Sequence, residues 1–188
     1  MNNLGLTDHE TRALEVAISS KKIDGSALGS DLKILGLLYR MAKLKARPPV
    51  LSTIFGITNE KARFYYKQAT HELPKKGRMA ESTEWFVETT DKHFQAAWLA
   101  KTYSAYSKYA KTEMDKVEAM VLVYEQYIRY FPDSKILFDR FHFLIRKTFY
   151  EKEVKMMPCG RCHGTRLEVK QHNNGRHIVC PTCQIVRE

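Results

Sequence analysis

Val50-Leu51-Ser52-Thr53-Ile54-Phe55-Gly56-Ile57-Thr58-Asn59-Glu60-Lys61-Ala62-Arg63-Phe64-Tyr65-Tyr66-Lys67 reads as a helix, a tight turn and a second helix that runs to about Thr70. Gly56 permits the positive φ that a short turn between two helices requires. Thr58 suits the N-cap of the second helix, where a side-chain oxygen can accept an orphan backbone N–H. Leu51, Phe55, Ile57, Ala62 and Tyr65 are expected to point inward and fix the helix crossing. Asn59, Arg63 and Lys67 recur every fourth residue, which puts them on one outward stripe. Such a helix-turn-helix, at about residues 50–70, fits a DNA major groove. A plain helical hairpin with a solvated basic face has the same pattern, so the segment alone leaves both readings open.

Working outward, the first 25 or so residues carry Leu14, Ala17 and Ile18 at helical spacing, followed by the breakers Asp24-Gly25-Ser26 and Gly29-Ser30, read as a linker. Leu32, Leu35, Leu38, Ala42 and Leu44 then predict a helix to about Arg47, halted by Pro48-Pro49. Downstream, Leu73-Pro74-Lys75-Lys76-Gly77-Arg78 is a basic loop, and Ser82 or Thr83 caps a long helix to about Tyr109 with Phe94, Trp98, Thr102, Ala105 and Tyr109 on one face. A further helix carries Val117, Met120, Val121, Tyr124, Ile128 and Phe131 and is stopped by Pro132; the next starts at Asp133 or Ser134 and presents Leu137, Phe141, Leu144, Ile145 and Phe149. The expected class is mainly α, three amphipathic helices packing as a bundle behind the helix-turn-helix. Trp98 to Pro132 has the outline of one tetratricopeptide unit, but a single copy does not make a solenoid.

The four cysteines stand at Cys159-x2-Cys162 and Cys180-x2-Cys183, with 17 residues between the pairs. Two-residue spacing lets two thiolates converge on one ion, and a separation of about 15 to 20 leaves room for a returning hairpin. Leu167 and Val169 alternate on one expected arm, Ile178 and Cys180 on the other, with Asn173-Asn174-Gly175 as the turn. Four cysteines complete a closed shell around one structural Zn²⁺, and His163, His172 and His177 are spare ligands nearby. Disulfides need an oxidising compartment, whereas the N-terminus lacks the basic start and apolar run of a secretory signal and the expected location is the cytoplasm. Few large apolar residues follow Lys155, so metal is expected to drive folding there, giving a small C-terminal zinc-ribbon-like β-hairpin. The chain thus divides into 1–30, an N-terminal helix and linker; 31–154, a helical DNA- and partner-binding domain; and 155–188, a zinc-binding module with four cysteine ligands.

Charge narrows the function. The 188 residues carry 31 Lys and Arg against 21 Asp and Glu, a net +10, so a polyanion is the natural partner. Between Arg40 and Arg78 ten cations (Arg40, Lys43, Lys45, Arg47, Lys61, Arg63, Lys67, Lys75, Lys76, Arg78) face only Glu60 and Glu72, so 39 residues hold +8, most of the excess. Concentration of this kind favours a binding face over scattered solubilising charge. The expected DNA contacts are Arg47, Thr58, Asn59, Lys61, Arg63, Lys67, Lys75, Lys76 and Arg78; by chemistry Arg63 reads guanine, Asn59 adenine, and Lys67 meets phosphate. Apolar runs of six residues at most exclude a membrane-spanning helix, which needs about 20. There is no phosphate-cradling glycine loop, HExxH or GxSxG, so an enzyme is not expected.

In the order of its parts and in its residues, the chain resembles the FlhC family, the zinc-containing subunit of the bacterial flagellar master regulator. The resemblance rests on Leu51-Ser52 through Tyr66-Lys67, Pro74-Lys75-Lys76-Gly77, Ser82-Thr83-Glu84-Trp85-Phe86, the helix from Arg140 to Phe149 and the closing cysteine pairs, and covers about residues 32 to 183. It implies an all-helical protein with a zinc-binding C-terminal region, ligated by Cys159, Cys162, Cys180 and Cys183, that joins FlhD in a heterohexamer, binds double-stranded promoter DNA of flagellar genes and recruits RNA polymerase. The alternative is a zinc-stabilised helical scaffold or an RNA-binding protein with another partner or regulon.

Overall fold

The computed structural model describes residues 25–169 and 180–186. The expected helix in the first 25 residues, the Asn173-Asn174-Gly175 turn, Ile178, His172 and His177 lie outside them. The described part is mainly helical, and its first element, α1 (Gly25–Lys43), corrects the reading of a linker: the helix runs through Gly25-Ser26 and Gly29-Ser30. A helical Gly costs only about 1 kcal/mol relative to Ala. The same helix buries Leu37, Leu38, Met41 and Ala42, whose packing outweighs that cost.

The prolines act differently from expectation as well. α1 ends at Lys43, and Lys45 turns the chain in the left-handed region at φ 63°. Pro48-Pro49 then open α2 (Pro48–Phe55), occupying first-turn positions where no amide donor is required. Gly56, at φ 62° and ψ 27°, ends α2. Ser52 donates its hydroxyl to the Ile57 carbonyl at 2.6 Å across the turn, and the Thr58 hydroxyl accepts the Lys61 amide at 3.3 Å to open α3 (Asn59–Thr70). Leu51 and Ala62 are fully buried as expected. On α3, however, Tyr66 takes the core position assigned to Tyr65, because Tyr66 lies one helical turn beyond Ala62. Tyr65 is half-buried, its ring edge-on to Tyr39 at 6.0 Å.

The long helix expected from Ser82 or Thr83 is two elements. A 3-10 turn (Glu84–Val87) puts Phe86 in the core, stacked on Phe143 at 6.1 Å, and α4 (Thr90–Ser107) begins only after Thr89 caps it by accepting the Lys92 amide at 3.2 Å. Phe94 and Trp98 pack edge-on against Phe131 as the periodicity suggests. Ala105 and Tyr109 are exposed, and the deepest face of α4 is Ala96, Leu99, Ala100 and Tyr103. The alanines allow close approach, so α4 is covered on more than one side, by α5 (Glu113–Tyr130) and by the C-terminal elements.

A capping box opens α5: the Asp115 amide donates to the Thr112 hydroxyl at 3.1 Å while the Asp115 carboxylate accepts the Thr112 amide at 2.9 Å. The last long helix starts later than expected, as α6 (Phe138–Ile145) running into a π-turn over Arg146–Tyr150. Ser134, one of the two expected starts, instead donates to the Gln95 side-chain oxygen at 2.7 Å beside the buried Tyr127 hydroxyl. Tyr124 and Phe141 stack at 5.7 Å, with Phe138 edge-on to Tyr124 at 5.0 Å.

Strands β1 (Val154–Pro158) and β2 (Thr165–Val169) pair antiparallel, Val154 opposite Val169 and Pro158 opposite Thr165. The arm of Leu167 and Val169 is thus a strand, but its described partner lies before the first cysteine pair, and Cys180 stands outside the described sheet at the N-cap of α7 (Pro181–Ile185). Val154, Leu167 and Val169 share the core of the helical body. The Leu167 amide donates to His93 Nε2 of α4 at 2.8 Å, fastening the hairpin to that helix.

Candidate functional site

Two sites emerge from this frame. The first is the end of the β1–β2 hairpin. Its tip carries Cys159 and Cys162, closed by the Cys159 amide donating to the Gly164 carbonyl at 2.7 Å, and Pro181, at the first position of α7, brings Cys180 and Cys183 up against it. The four sulfurs lie within 4.8 Å of one another, and Cys162 and Cys180 Sγ are 3.4 Å apart. A tetrahedral Zn²⁺ with bonds near 2.3 Å holds its sulfurs about 3.8 Å apart, so the set fits such an ion. None of the four is in a disulfide.

The surroundings also suit thiolates. Backbone amides of Arg161 and Cys180 donate to Cys159 Sγ at 3.4 and 3.2 Å, and the Gly164 amide donates to Cys162 Sγ at 3.4 Å. Amide donation from Cys162 and Cys180 holds the Cys159 thiol down to about 6, whereas the hydrogen bond to Cys162 and burial push Cys183 up to about 12. Four crowded thiols do not all ionise without a cation among them. Gly164 suits the tight tip, since a Cβ there would stand 3.2 Å from Cys162 Sγ and 3.9 Å from Cys180 Sγ and would press on the sulfurs. His163, a spare ligand in the sequence reading, is exposed and falls outside this cluster.

The second site is the basic face of α3 and the loop after it. Asn59, Lys61, Arg63 and Lys67 are all exposed, as are Thr58, Lys75, Lys76 and Arg78. Opposite this face Ala62 and Tyr66 are buried, which fixes the rotation of α3. Of the ten cations between Arg40 and Arg78, Lys43 interacts within the chain and three more are consumed by structure. Arg40 forms a two-pronged pair with Glu125 at 3.0 and 2.7 Å, and Lys45 pairs with Glu72 at 2.7 Å.

The third, Arg47, expected to meet DNA, is engaged within the fold. Its Nε is bonded to the Asp139 carboxylate, which is only 5% exposed, and its backbone amide donates to the same carboxylate at 2.9 Å. The other two guanidinium nitrogens donate to the Gly77 and Arg78 carbonyls at 3.0 and 3.1 Å. Arg47 is therefore a strap between the core and the basic loop. Lys61, Arg63, Lys67, Lys75, Lys76 and Arg78 remain exposed, with no ion pair among the described residues.

Sequence reasoning missed Asp139 and His93. The one available signal for Asp139 was a carboxylate set among Phe138 and Phe141, a charge with no reason to be in an aromatic stripe unless it has a partner. His93 carried no signal, as a histidine inside an ordinary helical pattern. A third cluster also lies outside the motif reading: Trp85 is flanked by the Arg140 guanidinium at 3.9 Å and Lys92 Nζ at 4.5 Å from its ring centroid.

Comparison with known proteins adds a family to this geometry. The family model described as FlhC, flagellar transcriptional activator, matches residues 26–187. The flagellar transcriptional regulator FlhC of Variovorax paradoxus is 25% identical over 170 residues, spanning 85% of this chain and 78% of its own. That of Cupriavidus necator is 28% identical over 165 residues with the same shares covered. Among the described residues no helix is long and apolar enough to cross a membrane.

Proposed function

The chain belongs to the FlhC family of flagellar transcriptional regulators, and from that premise we propose that it is the DNA-binding subunit of a cytoplasmic activator, acting with FlhD on flagellar promoter DNA and bringing RNA polymerase to it. In this reading α2 and α3 work as a helix-turn-helix and α3 enters the major groove. Arg63 pairs with guanine, Asn59 with adenine, and Lys61, Lys67, Lys75, Lys76 and Arg78 meet phosphates. Thr58 contributes by capping α3, and Arg47 by holding the loop. The observation that carries the reading is the group of six exposed cations, without an ion pair among the described residues, on α3 and on a loop strapped to the core beneath it.

One Zn²⁺ held by Cys159, Cys162, Cys180 and Cys183 supplies a closed tetrahedral cross-link, with no open position for a substrate. The support is the convergence of the four sulfurs and the amide donors around them. Its role is to lock the hairpin tip to α7 and present that end of the molecule as a rigid surface.

The test is quantitative binding by the co-expressed complex with FlhD to a footprinted flagellar promoter and to random duplex. Arg63→Ala is expected to lose about 1 to 3 kcal/mol on the promoter and little on the random duplex. Replacing Lys75 and Lys76 by Ala weakens both duplexes alike and lowers the salt slope by about 2. Equal loss on both duplexes for Arg63→Ala removes base reading by that residue. Absence of any salt-dependent duplex binding by the complex removes the whole reading.

A further inference from the structure

Two positions beyond the fully buried Ala62, on the opposite side of α3, the Phe64 side chain is 58% exposed. A single exposed apolar side chain is ordinary on a protein surface. This one has unusual surroundings. Lys61 and Lys67 stand three residues before and after it, Arg63 is its immediate neighbour, and all three cations are exposed. It lies at the middle of the outward face, with cations on either flank, where a helix seated in a groove comes closest to the base edges. Its ring is also held in place: Tyr65 meets it edge-on at 5.5 Å, and Tyr65 is in turn braced edge-on by Tyr39 of α1.

We infer that Phe64 is a specificity-determining residue that reads the C5-methyl group of thymine in the major groove. Apolar contact with that methyl is the one feature of a base pair's major-groove edge that a side chain without donors or acceptors recognises. The flanking lysines set the depth of insertion by meeting phosphates, and the ring supplies a sequence-dependent contact that does not depend on salt. The alternative occupant, an apolar pocket on a partner protein, is less well matched, because the ring is flanked by the exposed charges of Lys61, Arg63 and Lys67, which an apolar pocket would have to desolvate. The inference rests on the reading of α3 as a DNA-recognition helix.

The experiment uses the co-expressed complex and the footprinted promoter duplex, with each thymine in the α3 footprint replaced in turn by deoxyuridine, which deletes only the methyl group. Burying one methyl is worth about 0.8 kcal/mol, so binding of the unaltered protein is expected to fall about fourfold at one or two positions. Phe64→Ala should bind the thymine duplex about fourfold less well and show no further loss with deoxyuridine, at an unchanged salt slope. Phe64→Leu should regain part of both the affinity and the methyl response. Insensitivity of the unaltered protein to every deoxyuridine overturns the inference while leaving duplex binding itself intact. So does loss of the FlhD complex in Phe64→Ala, which would assign the ring to a protein partner. Failure of the unaltered complex to bind the duplex at all is a separate result and overturns the underlying reading.

Discussion

The helical body and the cysteine end of this molecule are held together by different means. The body surrounds α4 with apolar side chains, stacks Tyr124 on Phe141 and Phe86 on Phe143, and pairs several of its buried polar groups, such as Tyr127 with Gln95 and Asp139 with Arg47. The cysteine end contributes Val154, Leu167 and Val169 to that core and otherwise converges on four sulfurs. A region with so little oil needs a cross-link to offset its chain entropy, whereas the body does not. The lesson is that one short chain places its redundancy in packing and its single point of failure in a cluster of four cysteines.

The largest expected effect tests that contrast directly. Structural zinc sites release about 10 to 16 kcal/mol of apparent binding free energy, so Cys162→Ser or a strong chelator should unfold the hairpin tip and α7. The body should keep most of its helical circular dichroism, and limited proteolysis should cut after Val169 first. Wholesale loss of helicity would mean that the two regions fold as one.

Within the body, the next largest effect is at Asp139. Asp139→Ala leaves the Arg47 guanidinium without its buried counter-charge, which costs about 3 to 5 kcal/mol. Urea unfolding measures it, and zinc content should stay at one ion per chain.

A third separation uses pH. Burial, with the Arg146 charge adding to it, lowers His142 from 6.5 to about 4 in the folded chain. The unfolded chain binds a proton first as the medium is acidified, so stability is full above about pH 6.5 and falls as pH drops from there towards about 4, by about 3 kcal/mol in all. His142→Gln should flatten that slope. Acid also releases metal by protonating thiolates, and the pH of zinc release should be the same in His142→Gln. The smallest effect is local: Thr112→Ala removes the capping box of α5 and should lower thermal stability by about 1 kcal/mol without touching metal or DNA binding.

How much of this was legible in the sequence depends on the range of the forces involved. Gly56, Thr58 and the thiol spacing act within a few residues, so the turn, the α3 cap and the convergence of sulfurs could all be anticipated. The rotation of α3 was less well determined, because Tyr65 and Tyr66 are chemically equal, both follow Ala62 by about one helical turn, and only tertiary packing chooses between them. The structural partner of Arg47 was not legible because Asp139 is 92 residues away, and the sequence shows charge but not who neutralises it. The described pairing of β2 with β1 was not anticipated for a related reason. The pairing of Val154–Pro158 with Thr165–Val169 has only alternation to announce it.

The strap at Arg47 has a kinetic consequence. One guanidinium bridges the start of α6 and the carbonyls of Gly77 and Arg78, so the loop is released only when the charge pair beneath it opens. Backbone amides at 77–79 and at the first turn of α6 should therefore exchange their hydrogens through a common opening event with one shared free energy, and a ligand that grips the loop from outside will slow exchange deep inside the molecule.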